Sequence, residues 1–385
     1  MADQIAKYET YASDIKRMVI LTGLWPGPVS WELYRYLPII HVLTALMAST
    51  AIINFVMNHI SNIALVTRGL SISFSLLSAI QKVIVLTINR DYLIELHRIL
   101  DETFHQDFAH DELRPKLLSG IAWFYRPTLV LSLSTYFLLP MYMFVPPISI
   151  LLQYIHGVSP IKYRLPFPSQ YPWATSDNLL VFGTHYIIEA CAGFAVAGIT
   201  AATDALFGFY IFQMTSQFRT LSHRMSNLKA TDDYETVIKE CAVRHQTLTH
   251  CRDNLEQIYG PIILWMLTTS AMIMCALIYQ TSHMSLEKAI VFSVYIVMKL
   301  MQTLLYGWFG MSLTSETEAF RESVYCSDWP GSGEKSFMSN VLIMITCKPL
   351  ILTACKFSVI GLDMFLAITN TAVSYFFLLQ TLEEK

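Results

Sequence analysis

The chain has 385 residues, of which 54% are apolar and only 14% charged, whereas soluble domains carry about 25% charged residues. The formal charge of -3 excludes a basic nucleic-acid-binding surface. The apolar excess excludes a fold whose outer helix faces all meet water, and points to an all-α membrane protein.

The opening residues 1–17, MADQIAKYETYASDIKR, are charged and amphipathic without an apolar h-region or cleavage site, so no signal peptide is expected. A span needs about 20 mostly apolar residues. Seven are predicted: Leu37–Ile60, Leu65–Ile88, Ile121–Ile155, Leu179–Met214, Ile258–Tyr279, Ala289–Leu313 and Phe357–Leu379. The third is expected to bend or break at Pro140 and Pro146-Pro147. Between the last two spans, Phe337–Leu352 is apolar but short and interrupted by Lys348-Pro349, and reads as a half-helix packed in protein.

The connections differ in kind. Arg90–Gly120 is acidic, with Tyr92, Leu96, Ile99, Leu100 and Phe104 at helical spacing. His156–Ser176 is rich in proline and aromatics and reads as a structured loop at an interface. In the 215–257 connection, Tyr234, Ile238, Cys241, His245, Leu248, Leu255 and Ile258 repeat at close to 3.5 residues. That stripe predicts an amphipathic helix running unbroken into the fifth span, which must bury its apolar face against protein as a stalk. The domains follow: 1–36 N-terminal segment, 37–214 first four spans, 215–257 anchor helices, 258–313 fifth and sixth spans, 314–356 loop and half-helix, 357–382 last helix.

Lys and Arg set the orientation. One set of alternate connections holds Lys7, Lys16, Arg17, Arg90, Arg98, Arg114, Lys116, Arg219, Arg224, Lys229, Lys239, Arg244, Arg252, Arg321, Lys335 and Lys348. The other holds Arg68, Lys162, Arg164, Lys288 and Lys385. The N-terminus is therefore expected in the cytoplasm and the C-terminus outside. The seven cysteines fall in spans or on the inner side, so no disulfide framework is expected. A metabotropic seven-helix receptor would have the opposite orientation and an Asn-Pro-x-x-Tyr in its last span. Here that region reads Asn370-Thr-Ala-Val-Ser-Tyr375, without proline.

Three segments carry a resemblance. Leu21-Thr-Gly-Leu-Trp-Pro26 precedes the first span. Within Gly193–Phe218 lies Asp204-Ala-Leu-Phe207, followed by Gln217-Phe218-Arg219 and Leu221. The C-terminal third holds Tyr325, Trp329, Met344, Pro349, Thr353, Phe357, Phe365 and Ser374-Tyr375-Phe376. With the topology, these segments resemble the insect odorant receptor family over nearly the whole chain. The short fourth-to-fifth connection resembles a ligand-specific tuning subunit rather than the co-receptor, which carries a long insertion there. The ending Ser374-Tyr375 with Gln380-Thr381 fits less well with gustatory relatives, which close with Thr-Tyr and Gln-Phe and are the alternative reading.

The resemblance implies an odorant-binding subunit of a heteromeric, ligand-gated, non-selective cation channel in the plasma membrane of sensory dendrites. Its partners would be the co-receptor in a heterotetramer, a small neutral lipophilic odorant, the bilayer and permeant cations. The ligand pocket would lie in the outer half of each subunit and the pore along the last helix. Outer halves of the spans supply Phe74, Ser75 and Ser78; Tyr136, Leu139 and Met143; His185, Tyr186 and Glu189; Met272 and Tyr279; and Phe292 and Tyr295. Aromatic and methionine walls with a few hydroxyls suit a lipophilic ligand held by burial and oriented by one or two hydrogen bonds; each of these residues could equally be bundle packing. At membrane depth Glu189 and Lys299 point to function or water, while Lys82, Asp204 and Lys356 are read as span-end residues, snorkelling or pairing. On the last helix Ile360, Met364, Ile368 and Ala372 form one face of the pore candidate. Leu378, Thr381 and Leu382 form its outer end, with Glu383 and Glu384 drawing cations to the mouth. No HExxH, CxxC, phosphate loop or G-x-S-x-G occurs, and His105 and His110 stand alone in an acidic loop. No enzyme activity, cofactor or metal is expected.

Overall fold

A computed structural model describes residues 2–29, 32–173, 179–228, 233–284, 286–327 and 335–383. In chain order the elements are α1 (Ala2–Leu21), a 3-10 turn (Glu32–Tyr36), α2 (Leu37–Asn58), α3 (Ile63–Ile88), α4 (Arg90–Ala109), α5 (Arg114–Leu117), α6 (Ile121–Ile155), α7 (Leu179–Ser226), α8 (Tyr234–Ser282), α9 (Leu286–Tyr325), α10 (Lys335–Thr346), β1 (Thr353–Ala354), β2 (Ser358–Val359) and α11 (Leu362–Glu383). Among the described residues α2, α3, α6, α7, α8 and α11 are long and apolar enough to cross a membrane. The predicted sixth span lies within α9, which packs along α7, α8 and α11.

Local chemistry sets the helix starts. The Asn62 side chain accepts the Leu65 N–H at 3.2 Å, and Asp233 accepts from Glu235 and Thr236 at 3.2 and 3.4 Å, satisfying amides that lack an intrahelical partner. Asp233 is thereby held below the usual carboxylate range, chiefly by its hydrogen bonds with Thr236. The Leu21–Pro26 motif is the turn out of α1. Gly23 adopts a positive φ of 80°, and a Cβ there would lie 2.7 Å from Pro38 Cδ. Trp25 then buries edge-on against His97 at 4.8 Å, under Lys16. The amphipathic α1 buries Tyr8, Tyr11, Ile15 and Val19, with Tyr8 stacked on Phe104 at 4.6 Å.

The stalk forms as the periodicity predicts. α8 runs 49 residues without a break, through Pro261, and buries Ile238, Cys241, Leu248, Leu255 and Ile258. The lower half of α7 buries Phe212, Phe218 and Leu221, with Phe212 among Tyr8, Phe104 and Phe124 and Phe218 beside His245 of α8; His245 lies between Phe218 and Phe320, and Tyr234 stacks on Phe337 of α10. Buried Asp107 of α4 accepts from Thr220 at 2.8 Å and pairs with Arg244 at 3.1 Å, tying three helices together. Arg219 donates to the Ser119 carbonyl and pairs with Glu316 at 2.6 Å, bridging the α5–α6 junction, α7 and α9.

The structure corrects the following expectations. α6 is not interrupted at its prolines: it continues helical from Ile121 to Ile155. Each proline removes one hydrogen bond, which a long apolar helix absorbs without melting. The last span does not begin at Phe357. Phe357 lies in the β1–β2 hairpin, paired Thr353↔Val359 and Ala354↔Ser358, and the helix starts at Leu362. The left-handed Cys355 and Lys356 turn this hairpin, and Glu256 and Thr314 hold it through Thr353 and the Leu350 carbonyl. Lys356 is thus an exposed residue of the hairpin turn ahead of α11. The face Ile360, Met364, Ile368 and Ala372 is buried within its own chain, on the side of α11 that meets α8 and α9, so it cannot line a pore. The described cysteines are all free thiols.

Candidate functional site

Opposite the stalk, two chambers lie between α3, α6, α7, α8 and α9. The outer one, about 130 Å³, is walled by Ile72, Leu76, Met143, Val196, Leu277 and Phe292, with Arg68, Tyr142 and Gln280 among its polar members and Phe167 of the connecting loop beside it. The inner one, about 40 Å³, is lined by Ser78, Gln81, Lys82, Thr135, Trp265 and Lys299, among others. Ser75, Val196 and Tyr295 border both. Tyr295 Oη and Ser75 Oγ are 3.0 Å apart, and because Ser75 Oγ donates to the Ser71 carbonyl at 2.9 Å, Tyr295 is the donor across that boundary.

One helix face explains the pairing of the chambers. Arg68, Ser71, Ser75, Ser78 and Lys82 recur every three or four residues along α3, a polar stripe from the outer chamber to the inner. In a lipid-spanning helix such a stripe must turn inward, where partners satisfy it. Arg68 Nη2 donates to Tyr142 Oη at 2.7 Å, and Trp265 Nε1 donates to Ser78 Oγ at 2.9 Å. The stripe ends in an ion cluster. Lys82 (5% exposed) pairs with Asp204 (6% exposed) at 2.6 Å, and Asp204 also accepts from Gln302 at 2.5 Å and Tyr306 at 2.8 Å. Lys299 donates to Gln302 at 3.0 Å. Lys82 therefore does not snorkel: it is buried with its counter-ion and joins α3 to α7 and α9. Asp204 pairs, as expected of it.

The sequence-derived residues divide. Ser75, Met143, Phe292 and Tyr295 line the outer chamber, and Ser78 the inner. Phe74, Tyr136, Tyr186, His185, Glu189, Met272 and Tyr279 line neither. Met272 is 47% exposed on the outer face of α8, Tyr279 packs on His283, and Tyr136 lies near Gly198. Tyr186 donates to the Met143 carbonyl at 2.9 Å, holding α6 against α7, where Gly193 leaves room for Met143. The side chains of Leu139, Leu382 and Glu383, and all of Trp329 and Glu384, lie outside the described residues.

Glu189 and His185 have a different task. Glu189 is fully buried and accepts the Phe167 N–H at 3.0 Å, Ser169 Oγ at 2.5 Å and Tyr171 Oη at 3.2 Å. His185 receives Trp173 Nε1 at 3.1 Å. Burial, and secondarily the Glu189 charge, push the Tyr171 phenol up. Gln170 binds Asn54 and Asn58 of α2, so the loop is strapped across the bundle with Phe167 at the cavity. Arg68, Tyr142, Phe167, Gln280 and Leu277 are lining residues that sequence reasoning missed; the period of the α3 stripe was the available signal for Arg68.

The 7tm odorant receptor family model matches residues 62–373. The chain belongs to this family. Odorant receptor 13a of Drosophila melanogaster is 27% identical over 240 residues, 56% of this chain and 57% of that receptor. Putative odorant receptor 98b of the same species is 28% identical over 48% of each chain. This odorant receptor chain thus spans about half the length of these curated relatives. The odorant receptor coreceptor of Aedes aegypti matches less, 26% identical over 38% of this chain and 32% of its own. The olfactory receptor OR5 of Machilis hrabei, at 13% identity, has the same fold: TM-score 0.77, covering 98% of this chain and 99% of that one. A second OR5 structure, in complex with eugenol, gives the same TM-score.

Proposed function

We propose that this odorant receptor is the odorant-binding subunit of a heteromeric, ligand-gated, non-selective cation channel, and that the outer chamber receives the ligand. The observation that carries this reading is the cavity itself: apolar walls, a strapped loop beside it, and lining residues whose buried polar atoms no described protein group satisfies. The coreceptors among the chain's relatives support a heteromeric partner.

α9 is the element that can pass binding to the pore. It carries Phe292 and Tyr295 at the cavity, Gln302 and Tyr306 in the ion cluster, and Gly307 and Gly310 against the start of α11. A ligand that takes the place of the Tyr295–Ser75 contact favours whichever α9 position accommodates it. Tyr295→Ala, which removes roughly 1.5–3 kcal/mol of apolar contact, should raise the half-activating ligand concentration at least about tenfold while leaving surface expression intact. An unchanged dose–response curve would leave the cavity without support as the binding site.

The pore belongs to the exposed side of α11, the least buried of the six spans. Leu378, 53% exposed, sits with Thr381 and Leu382 at its outer end as the gate; an apolar ring there closes by dewetting. Leu378→Ser should raise ligand-independent current or alter rectification without moving the half-activating concentration by a large factor. Normal values for both would remove this helix end from the pore.

The basic residues gathered at that end support a cytoplasmic stalk, with the 215–257 anchor and the 1–36 and 314–356 segments. A cysteine introduced beside His245 should resist impermeant thiol reagents applied to intact cells. Labelling from outside would reverse the orientation.

A further inference from the structure

We propose that the outer chamber is built for a ligand carrying a hydroxyl group on a small apolar body, and that Gln280 reads that hydroxyl. The inference rests on the chamber's being the odorant site and names the class of odorant.

Gln280 is 2% exposed, near the C-terminal end of α8, and its side chain lines the outer chamber. Neither its Nε2 nor its Oε1 has a hydrogen-bond partner among the described residues, and the same holds for Arg68 Nε on the α3 side. Buried amides are normally paired, because leaving one unpaired forfeits its solvation without return. Both residues line one cavity, and their unpaired polar atoms therefore describe the polar complement of what the cavity takes. Gln280 offers two N–H donors and one carbonyl acceptor, while Arg68 Nε offers one donor. A hydrocarbon would leave all of these unpaired. An ether or ester oxygen accepts from Nε2 or Nε but leaves Gln280 Oε1 alone. A carboxylate would face that same Oε1 with like polarity and would have to be stripped of water. A hydroxyl both accepts and donates, and so serves both ends of the Gln280 amide.

The rest of the wall sets the apolar body. Ile72, Leu76, Val196, Leu277 and Phe292 give nothing to hydrogen-bond, and the volume of about 130 Å³ compares with an apolar cavity of about 150 Å³ that accepts benzene. The body is thus a single ring or a short chain.

The test is a matched panel applied to cells expressing this chain with a coreceptor. Three scaffolds (a benzyl ring, a six-carbon chain and an eight-carbon chain) are each presented as the alcohol, its methyl ether, the parent hydrocarbon and the corresponding acid. On the scaffold that fits, the alcohol should activate at roughly ten- to hundredfold lower concentration than the hydrocarbon, with the ether between and the acid weak. Gln280→Met, which keeps the volume and removes the polar atoms, should collapse the alcohol-to-hydrocarbon ratio toward one, with surface expression measured in parallel. If that variant does not reach the surface, the wild-type ranking decides alone. A ranking led by ether, hydrocarbon or acid, or a preference for alcohol that survives Gln280→Met, overturns the inference while leaving the odorant reading standing. Absence of current with every compound on every scaffold counts instead against the odorant reading, and the inference falls with it.

Discussion

Asp204→Ala should remove the receptor from the cell surface. The substitution leaves Lys82 buried and charged with no counter-ion, and strips Gln302 Nε2 and Tyr306 Oη of their acceptor. Breaking one side of a buried ion pair costs about 3–5 kcal/mol, a large share of the 5–15 kcal/mol that keeps a typical domain folded. The cost arises from the stranded partner rather than from the net worth of the pair. The double replacement Lys82→Met with Asp204→Leu should therefore recover part of the surface expression, since an apolar pair of similar volume removes both charges of the pair and leaves only Lys299 of the cluster charged. Gln302 and Tyr306 would still lack their acceptor, so recovery should be partial. Surface biotinylation of the three variants measures this directly. Normal surface levels for Asp204→Ala, or a double variant no better than the single, would contradict the account of the cluster.

The second large effect concerns the junction between α9 and α11. A Cβ at Gly310 would lie 2.2 Å from the Ile360 carbonyl oxygen, and one at Gly307 would lie 2.6 Å from the Gly361 oxygen. Both neighbours are backbone just ahead of α11 and cannot swing aside as a flexible side chain would. Small residues permit this close approach in a membrane bundle, and a methyl group there must move the start of the last helix. Overpacking of this kind costs typically 1–3 kcal/mol, enough to change an open–closed equilibrium by about five- to 150-fold. Gly310→Ala should therefore alter maximal or basal current by that order while Tyr295-dependent ligand sensitivity is retained. Gly183→Ala on α7, where a Cβ meets nothing within 4 Å, is the matched control and should leave current unchanged. Equal behaviour of the two variants would separate α9 from gating.

Much of this architecture is legible in the sequence because lipid imposes it. Apolar length locates the spans, and the stripe from Tyr234 to Ile258 requires an unbroken helix buried against protein, which α8 is. The last span was misplaced because Phe357 and Val359 read as membrane residues although they sit in a hairpin held between α8 and α9. The cavity was legible only by depth. Span position says which end of a helix a residue occupies, but the rotation of each helix is fixed by its neighbours. Met272 and Tyr136 thus have suitable depth and the wrong azimuth, while Ser75 and Tyr295 have both. Glu189 was singled out because a carboxylate in a span needs partners; those partners lie in the proline-rich loop, more than a dozen residues away in sequence, where no local pattern could reveal them. Gln280 was missed because a glutamine at the end of a span looks like an ordinary interfacial residue, and only burial makes it unusual.

The most direct test of the odorant-binding channel subunit is whole-cell current under voltage clamp in three cell populations: this chain with a coreceptor, this chain alone and the coreceptor alone. A rapid, ligand-evoked cation current is expected only in the first, persisting when G-protein signalling is blocked, with a half-activating concentration that Tyr295→Ala raises about tenfold or more. A ligand response in this chain alone, or one abolished by blocking G proteins, would contradict that expectation.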